Sequence, residues 1–221
     1  RGLLIIMHTV SASVRSFLVL MLLLLAGPVF ASQNTLLVVG DSLSAAYGVP
    51  SDTAWVQLLR NRLDQQDTRW QVVNASISGE TTDGGLRRLP DLLQKHEPDV
   101  VVIELGGNDG LRGFPPDVIE SNLSSMIEKV KATGATPVLV GMKVPPNYGQ
   151  RYTSAFSAVY RNLSDRYNVA LVPFFLEGIY GKDGLIQRDG IHPTEKAQPL
   201  LLENVWPKLE PVVSEAGSQA S

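Results

Sequence analysis

Three short polar segments of the chain carry residue types that together can break an acyl bond. Ser42 follows Gly-Asp after one apolar run, Asn108 follows Gly-Gly after a second, and Asp189 and His192 lie three residues apart near the end. These residues supply a nucleophile, an amide donor and a base with an orienting carboxylate, the minimum equipment for acyl transfer to water. The pattern therefore favours covalent chemistry on an acyl group.

A serine nucleophile needs a base, and His192 is the candidate that the sequence itself orients. Asp189 precedes it in a segment with glycine and proline, and a tight turn there brings the carboxylate to one imidazole nitrogen, leaving the other for Ser42. The two other histidines do not compete, because His8 lies in an N-terminal apolar segment and His96 is expected at a solvated helix end.

The negative charge that develops on an attacked carbonyl oxygen needs hydrogen-bond donors. The backbone amides of Ser42 and Gly79 and the side-chain amide of Asn108 are the predicted donors of this oxyanion hole. We expect Ser42 at a strand-to-helix turn, where unpaired amides favour negative charge. A glycine at position 79 lets the backbone come close to a substrate.

Each of these residues also has a purely structural interpretation. Ser42 could cap a helix, Asn108 could lie in a plain turn, and Asp189 could form a turn with Gly190. Asp109 and Asp189 could suggest a metal site, but with one usable histidine and no cysteine we predict neither a metal nor a cofactor. The conjunction of the segments in one chain favours the catalytic interpretation.

Predicted strands and predicted helices alternate along the chain, and they must position these residues. Short, continuously apolar and partly β-branched segments predict strands buried on both faces, at residues 35–39, 71–75, 100–105, 137–141 and 169–172. Segments with apolar residues three or four apart predict amphipathic helices, at residues 54–63, 85–95, 118–132, 155–167 and 194 to about 209. This alternation predicts a single α/β/α sandwich of about five parallel strands, whose carboxyl ends gather the polar residues at one crevice.

The first 31 residues have the composition of a secretory signal. Arg15 precedes an uninterrupted apolar run, and small residues end at Ala31, so we expect cleavage after Ala31 and a periplasmic or secreted product. Residues 1–6 are expected to lie upstream of the signal. The alternative is a retained membrane anchor, but the uncharged run 16–31 is shorter than the roughly 18 residues that a spanning helix needs.

The remaining chain is expected to form one domain over residues 32–213, followed by a disordered Ser/Ala/Gly-rich tail over 214–221. Residues 1–31 hold two of the 19 basic side chains and none of the 22 acidic ones, so their removal leaves a formal charge of −5. That balance favours neither nucleic acid nor an anionic membrane surface as a partner. The chain has no cysteine, which excludes disulfides and a cysteine-linked lipid anchor. We expect a monomer without a stable membrane anchor that acts on a small molecule.

Four ordered blocks of the chain resemble the SGNH, or GDSL-type, hydrolase family. They are Gly40-Asp41-Ser42-Leu43-Ser44, Ser78-Gly79-Glu80, Gly107-Asn108-Asp109 and Asp189-Gly190-Ile191-His192-Pro193. The flanking residues 44–48, 84–90 and 110–113 are similar to the periplasmic bacterial branch that includes thioesterase I, lysophospholipase and arylesterase. The resemblance covers residues 35–210 and implies a flavodoxin-like α/β/α fold.

The resemblance also implies a role for each site residue. Ser42 would be the nucleophile of a serine esterase acting on esters, thioesters and lysophospholipids, with His192 as base and Asp189 as its orienting carboxylate. Gly79 and Asn108 would be oxyanion donors. Two departures, Ala46 where relatives often have glycine and Glu80 where they often have aspartate, lie beside these residues and leave the mechanism unchanged.

An acyl pocket is expected where loops follow the third and fourth strands, mostly because the resemblance implies it. Its predicted lining is Leu111, Phe114, Pro145, Tyr148 and Ile191. The alternative is that Pro145 stiffens a surface loop on which Tyr148 packs.

Three other functions use the same fold or the same residues. A carbohydrate O-acetylesterase and an acyltransferase would share the triad, and stacked aromatic residues would be expected in a sugar site. A flavin-binding module is disfavoured because the first loop has no phosphate-cradling run and the Asp189 and His192 pair would have no purpose.

Overall fold

Five short valine- and leucine-rich segments form one parallel β-sheet in a computed structural model, which describes residues 33–66 and 70–219. The strands are β1 (Asn34–Gly40), β2 (Trp70–Asn74), β3 (Val100–Glu104), β4 (Thr136–Val140) and β5 (Ala170–Val172). They lie in the order β2-β1-β3-β4-β5, and every neighbouring pair is parallel. The five predicted strands are confirmed, with bounds that differ by one residue at most ends.

Six α-helices in the described part of the chain cover the two faces of this sheet. They are α1 (Trp55–Gln65), α2 (Thr82–His96), α3 (Gly107–Leu111), α4 (Pro116–Ala132), α5 (Gln150–Tyr167) and α6 (Gln198–Gln219). Helices α1 and α6 pack together on one face, while α4 packs between α2 and α5 on the other. The central strands β1 and β3 are buried along their whole length between these layers, so the predicted three-layer α/β/α fold is confirmed.

Helix α5 begins five residues before its predicted start and α6 four residues after its own. Two other differences have local causes. Helix α2 begins at Thr82, three residues early, because the Thr81 side chain accepts a hydrogen bond from the Gly84 amide and caps its first turn. Helix α3 was not predicted, and the plain turn given as the structural alternative for Asn108 is instead part of this short helix.

The C-terminal segment is a clear correction. Residues 214–219 are not a disordered tail but the last turns of α6, which continues ten residues beyond the predicted end. Val213 is buried and Ala216 packs against the core, so apolar side chains continue on the inner face of the helix beyond Leu209. Pro199, at the second position of α6, does not interrupt it because the first helical amides have no intrahelical acceptor.

The signal segment and its cleavage after Ala31 lie outside the described residues. Within residues 33–66 and 70–219, no helix is long and apolar enough to cross a membrane.

Candidate active site

Ser42, His192 and Asp189 form a continuous hydrogen-bonded chain at the carboxyl edge of the sheet. Ser42 lies two residues beyond the end of β1, and its Oγ is 2.9 Å from Nε2 of His192. Nδ1 of His192 is 2.6 Å from Oδ2 of Asp189. With the ring proton on Nδ1, Nε2 is an acceptor for the serine hydroxyl, which is the arrangement that general-base catalysis requires.

The backbone that follows Ser42 is a tight turn and not the start of a helix. The Ala45 amide donates to the Asp41 carbonyl at 2.9 Å, but regular helix begins only at Trp55. The expected strand-to-helix turn is therefore wrong in detail, and a helix dipole does not act on the serine.

His192, the predicted base, lies in a short hairpin whose own hydrogen bonds are local in sequence. Ile186 and Pro193 form an antiparallel bridge, and the Gln187 amide donates to the His192 carbonyl at 2.7 Å. Inside this hairpin, Oδ1 of Asp189 accepts from the amides of Ile191 and His192 at 2.9 and 3.0 Å. The three-residue spacing thus gives the tight turn that was predicted.

The hydrogen bonds within this hairpin keep Asp189 ionised. Partial desolvation by itself would raise its pKa, but the hydrogen bonds from the Ile191 amide, the His192 ring and the His192 amide together lower the pKa to about 2. The carboxylate therefore stays ionised at every pH at which His192 could act as a base.

Two of the three predicted oxyanion donors are unengaged backbone amides. Among the described residues, the amides of Ser42 and Gly79 donate no hydrogen bond to protein. Gly79 has φ +78°, and a Cβ built on it would meet nothing within 4 Å, so glycine is needed here for the backbone conformation and not for space.

The third donor, Asn108, is already hydrogen-bonded. Its Nδ2 donates to Oδ2 of Asp41 and to the carbonyl of Glu80, both at 3.0 Å. The preceding Gly106 has φ +109°, and a Cβ there would lie 2.3 Å from the Tyr160 hydroxyl, so only glycine fits at the start of α3. Asn108 is thus fixed in orientation before a substrate binds.

The carboxyl groups of Asp41 and Glu104 form a buried pair that sequence reasoning missed. The pair lies beneath the turn that carries Ser42, residues 41–48, called the nucleophile turn below. Oε2 of Glu104 accepts from the Ser44 hydroxyl at 2.7 Å and lies 3.3 Å from the Asp41 amide, while its Oε1 is buried without a partner among the described residues. Trp55 Nε1 also donates to Ser44 Oγ at 3.3 Å. The signal was present in the sequence, because Glu104 is the only charged residue of an otherwise apolar strand.

Burial shifts the titration of both carboxyls of this pair. Desolvation, partly offset by hydrogen bonds from the Leu43 amide and Asn108, raises the pKa of Asp41 to about 6. Desolvation and the neighbouring Asp41 carboxylate raise the pKa of Glu104 well above its usual value.

Asp109 and Glu80, which flank the oxyanion donors, have structural partners. Asp109 is fully buried and accepts from the Thr82 amide at 2.9 Å and the Thr82 hydroxyl at 2.5 Å, which joins α3 to the first turn of α2. Glu80 accepts from Arg88 at 2.7 Å in a mostly buried ion pair. Within the described part of the chain, no group of three or more His, Cys, Asp or Glu side chains could hold a metal ion.

A cleft of about 330 Å³ opens beside the triad. It is lined by Ser42, Asn108 and His192 at one end, and its walls come from loops after β3, β4 and β5. The main apolar wall residues are Leu111, Met142, Val144, Phe174, Leu176 and Tyr180. Such a lining is suited to an apolar group.

Three of the five predicted pocket residues, Leu111, Pro145 and Ile191, line this cleft, and two do not. Tyr148 lies behind the wall, where its hydroxyl donates to the Leu111 carbonyl at 2.6 Å and its ring stacks on Tyr152. Phe114 is partly exposed outside the cleft. The loops after β4 and β5 supply the wall residues that sequence reasoning missed.

A second depression, of about 700 Å³, lies at the opposite edge of the sheet. Its lining includes Pro98 and Asp99, which precede β3, and Gly134, which precedes β4. It is therefore remote from the triad.

Comparison with known proteins gives consistent similarities. A model of the GDSL-like Lipase/Acylhydrolase family matches residues 38–199. "Esterase TesA" of Pseudomonas aeruginosa is 56% identical over 183 residues, covering 83% of this chain and 91% of that protein. "Thioesterase 1/protease 1/lysophospholipase L1" of Escherichia coli is 47% identical over 184 residues, covering 83% and 87%. "Arylesterase" of Vibrio mimicus is 49% identical over 178 residues, covering 80% and 89%.

The fold is similar to a solved structure as well. The crystal structure of TesA superposes with a TM-score of 0.79 at 56% sequence identity, covering 81% of this chain and 99% of that one.

Proposed function

Because the chain belongs to the GDSL-like lipase/acylhydrolase family and is an ester hydrolase, we propose that it hydrolyses esters and thioesters through an acyl-enzyme on Ser42. The observation that carries this proposal is the 2.9 Å contact between Ser42 Oγ and His192 Nε2 at the end of an apolar cleft. A hydroxyl, a base and an acyl-binding surface meet there at distances that permit attack on a bound carbonyl.

The reaction has two symmetrical halves. His192 Nε2 accepts the hydroxyl proton as Ser42 Oγ bonds to the carbonyl carbon, and the imidazolium then gives that proton to the leaving alcohol or thiol as the C–O or C–S bond breaks. Water repeats the attack on the acyl-enzyme, with His192 taking its proton and returning it to Ser42 Oγ. Asp189 stays ionised throughout and stabilises the imidazolium.

The oxyanion of each tetrahedral intermediate is bound by the amides of Ser42 and Gly79 and by Asn108. The two backbone amides have no competing acceptor among the described residues, which supports this assignment. Asn108 must share or release one of its two present acceptors, Asp41 and the Glu80 carbonyl, when the oxyanion forms.

The substrates are aryl and alkyl esters, acyl thioesters and lysophospholipids. The names of the relatives, esterase, thioesterase, lysophospholipase and arylesterase, support this range. The apolar cleft lining supports an acyl chain over a sugar and so favours this function over carbohydrate deacetylation.

The protein acts as a monomer exported to the periplasm or beyond, with residues 1–31 removed and residues 32 onward forming the hydrolase domain. The basic residue, apolar run and small residues that end at Ala31 support export. Intact mass of the product from the full chain tests this, since cleavage gives a protein that starts at Ser32, whereas a retained segment keeps residues 1–31.

The enzymatic test is hydrolysis of p-nitrophenyl esters from acetate to palmitate by the parent, Ser42→Ala and His192→Ala. Each substitution should lower kcat by several orders of magnitude, while His96→Ala, at the end of α2, serves as the matched histidine control. A phosphonate ester should label the parent at Ser42 and leave Ser42→Ala unlabelled. Full activity in Ser42→Ala would overturn the proposal.

A further inference from the structure

The acyl cleft and the leaving group lie on different sides of the nucleophile. The cleft walls come from loops after β3, β4 and β5, and the sheet order puts all of these strands on one side of β1, with β2 on the other. An acyl chain in the cleft therefore directs the leaving group away from β4 and β5. The leaving atom must also lie beside His192, which gives it a proton.

Tyr47 is the aromatic residue at that position. Its ring centroid is 4.3 Å from that of the His192 imidazole, at an interplanar angle of 34°, and Tyr47 is not among the residues that line the cleft. The residue is 51% exposed although it contacts a catalytic group. An exposed aromatic surface thus continues from the imidazole outside the acyl cleft.

The backbone of Tyr47 is held in place even though its ring is exposed. Its amide donates to the Ser42 carbonyl at 3.2 Å, and its carbonyl accepts from Gln187 Nε2 at 2.9 Å. Gln187 also donates to the Pro193 carbonyl, so it joins the nucleophile turn to the histidine hairpin. Ala46, the residue before Tyr47, has φ +61°, a left-handed conformation that a non-glycine residue keeps only where surrounding contacts impose it.

Ile77 provides a second exposed apolar side chain on the β2 side. It is 51% exposed, and its amide donates to the Gly40 carbonyl at 3.0 Å, immediately before the nucleophile turn. Single exposed apolar residues are ordinary on protein surfaces. Here two of them, Tyr47 and Ile77, are hydrogen-bonded through their amides to the segment around Ser42, and neither lines the acyl cleft.

We propose that Tyr47 and Ile77 form a leaving-group subsite that binds apolar, preferably aromatic, alcohols. This inference rests on the proposed function, since it assumes the acyl-enzyme on Ser42. As the tetrahedral intermediate collapses, the ester C–O bond breaks and its electron pair stays on the oxygen, which takes the proton from His192. The aromatic group of the departing alcohol meanwhile stacks on the Tyr47 ring.

The test compares benzyl and methyl esters of one fatty acid, which form the same acyl-enzyme and differ only in the alcohol released. In Tyr47→Ala, kcat/KM for the benzyl ester should fall about threefold to tenfold relative to the methyl ester, the usual range for loss of one aromatic pair. Tyr47→Phe should restore the ratio. Tyr180→Ala, an exposed tyrosine in the acyl cleft, is the matched control and should leave the ratio at the parent value.

Equal losses for the two esters in Tyr47→Ala would overturn the subsite, because Tyr47 would then act only through His192. No loss for either ester in Tyr47→Ala would overturn it as well. Failure of the proposed function is separately visible, because Ser42→Ala would then hydrolyse both esters, whereas a failed subsite leaves Ser42→Ala inactive.

Discussion

At the scale of single residues, the His192 ring is held from three directions. Asp189 Oδ2 contacts Nδ1, Ser42 Oγ contacts Nε2, and the Tyr47 ring lies against the imidazole. The Asp189 contact has the clearest electrostatic consequence, because a carboxylate with a pKa of about 2 stays charged opposite the imidazole that gains and loses a proton in the proposed mechanism.

Asp189→Asn should lower kcat/KM by about two to four orders of magnitude, because the amide can hold the wrong imidazole tautomer and cannot stabilise the imidazolium. Since Asp189 does not titrate above about pH 2, we expect the loss to be the same across the neutral pH range. A pH profile of kcat/KM checks this, with Asp183→Asn, an exposed aspartate of the same loop, as the control. If kcat/KM of Asp189→Asn matched that of the parent at either end of the pH profile, this prediction would be wrong.

Asn108→Ala should reduce kcat by about 100- to 1000-fold with a smaller change in KM, because the amide stabilises the oxyanion more than the bound ester. Steady-state kinetics with one p-nitrophenyl ester measure both constants. Asn61→Ala, at an exposed position of α1, is the control. An effect confined to KM would show that Asn108 only binds the substrate.

At the scale of elements, the register of β1 against β3 decides what lies beneath the nucleophile. Gly40 pairs with Glu104, so the only charged residue of β3 comes under the turn that carries Ser42. Glu104 then hydrogen-bonds Ser44 and the Asp41 amide, and Asp41 in turn holds Asn108. One strand pairing therefore connects the turn that carries Ser42 to Asn108, the proposed oxyanion donor.

This buried pair should make the protein less stable as the pH rises. A carboxyl whose pKa is raised on folding contributes its full stability below the unfolded value and loses it as pH rises through the folded value, which for Asp41 is a window from about 4 to about 6. Glu104→Gln keeps an acceptor for Ser44 and removes the titratable carboxyl group beside Asp41. We expect it to increase the free energy of unfolding at pH 8 by about 1–3 kcal/mol.

Urea denaturation at pH 4, 6 and 8 measures this effect. Glu210→Gln, an exposed glutamate of α6, should track the parent at all three pH values. A Glu104→Gln variant less stable than the parent at pH 8 would contradict the expectation.

At the scale of the whole molecule, the candidate active site and the end of α6 lie at opposite ends of the strands. The triad and cleft lie at the carboxyl edge, whereas the end of α6 lies at the amino edge, where a Cβ on Gly217 would be 3.6 Å from the Asn34 side chain and 3.8 Å from that of Trp70. Asn34 and Trp70 are the first residues of β1 and β2. The last turns of α6 therefore stabilise the fold at a distance from the chemistry.

Deletion of residues 214–221 should lower the free energy of unfolding by about 1 kcal/mol, because it exposes apolar surface around Ala216 and Trp70. The esterase kcat at a temperature well below unfolding should stay within about twofold. Deletion of residues 220–221 alone is the control. Equal stability of the two truncated proteins would mean that the last turns of α6 contribute nothing.

The sequence by itself determined the features that depend on local spacing. Periodicity identified the five strands, because burial on both faces requires continuous apolar residues. The Asp189 and His192 pair was predictable because its hydrogen bonds close within a four-residue turn. The family blocks then connected it to Ser42, Gly79 and Asn108.

Only the tertiary structure decided the contacts between distant segments. The strand register that places Glu104 below Ser44 is not specified by any local pattern. Helix α6 continues past Leu209 because Val213 and Ala216 pack against the core. Tyr148 supports the cleft wall without lining it, since its hydroxyl reaches the Leu111 carbonyl. Such contacts depend on how whole elements pack, so residue type and spacing alone do not determine them.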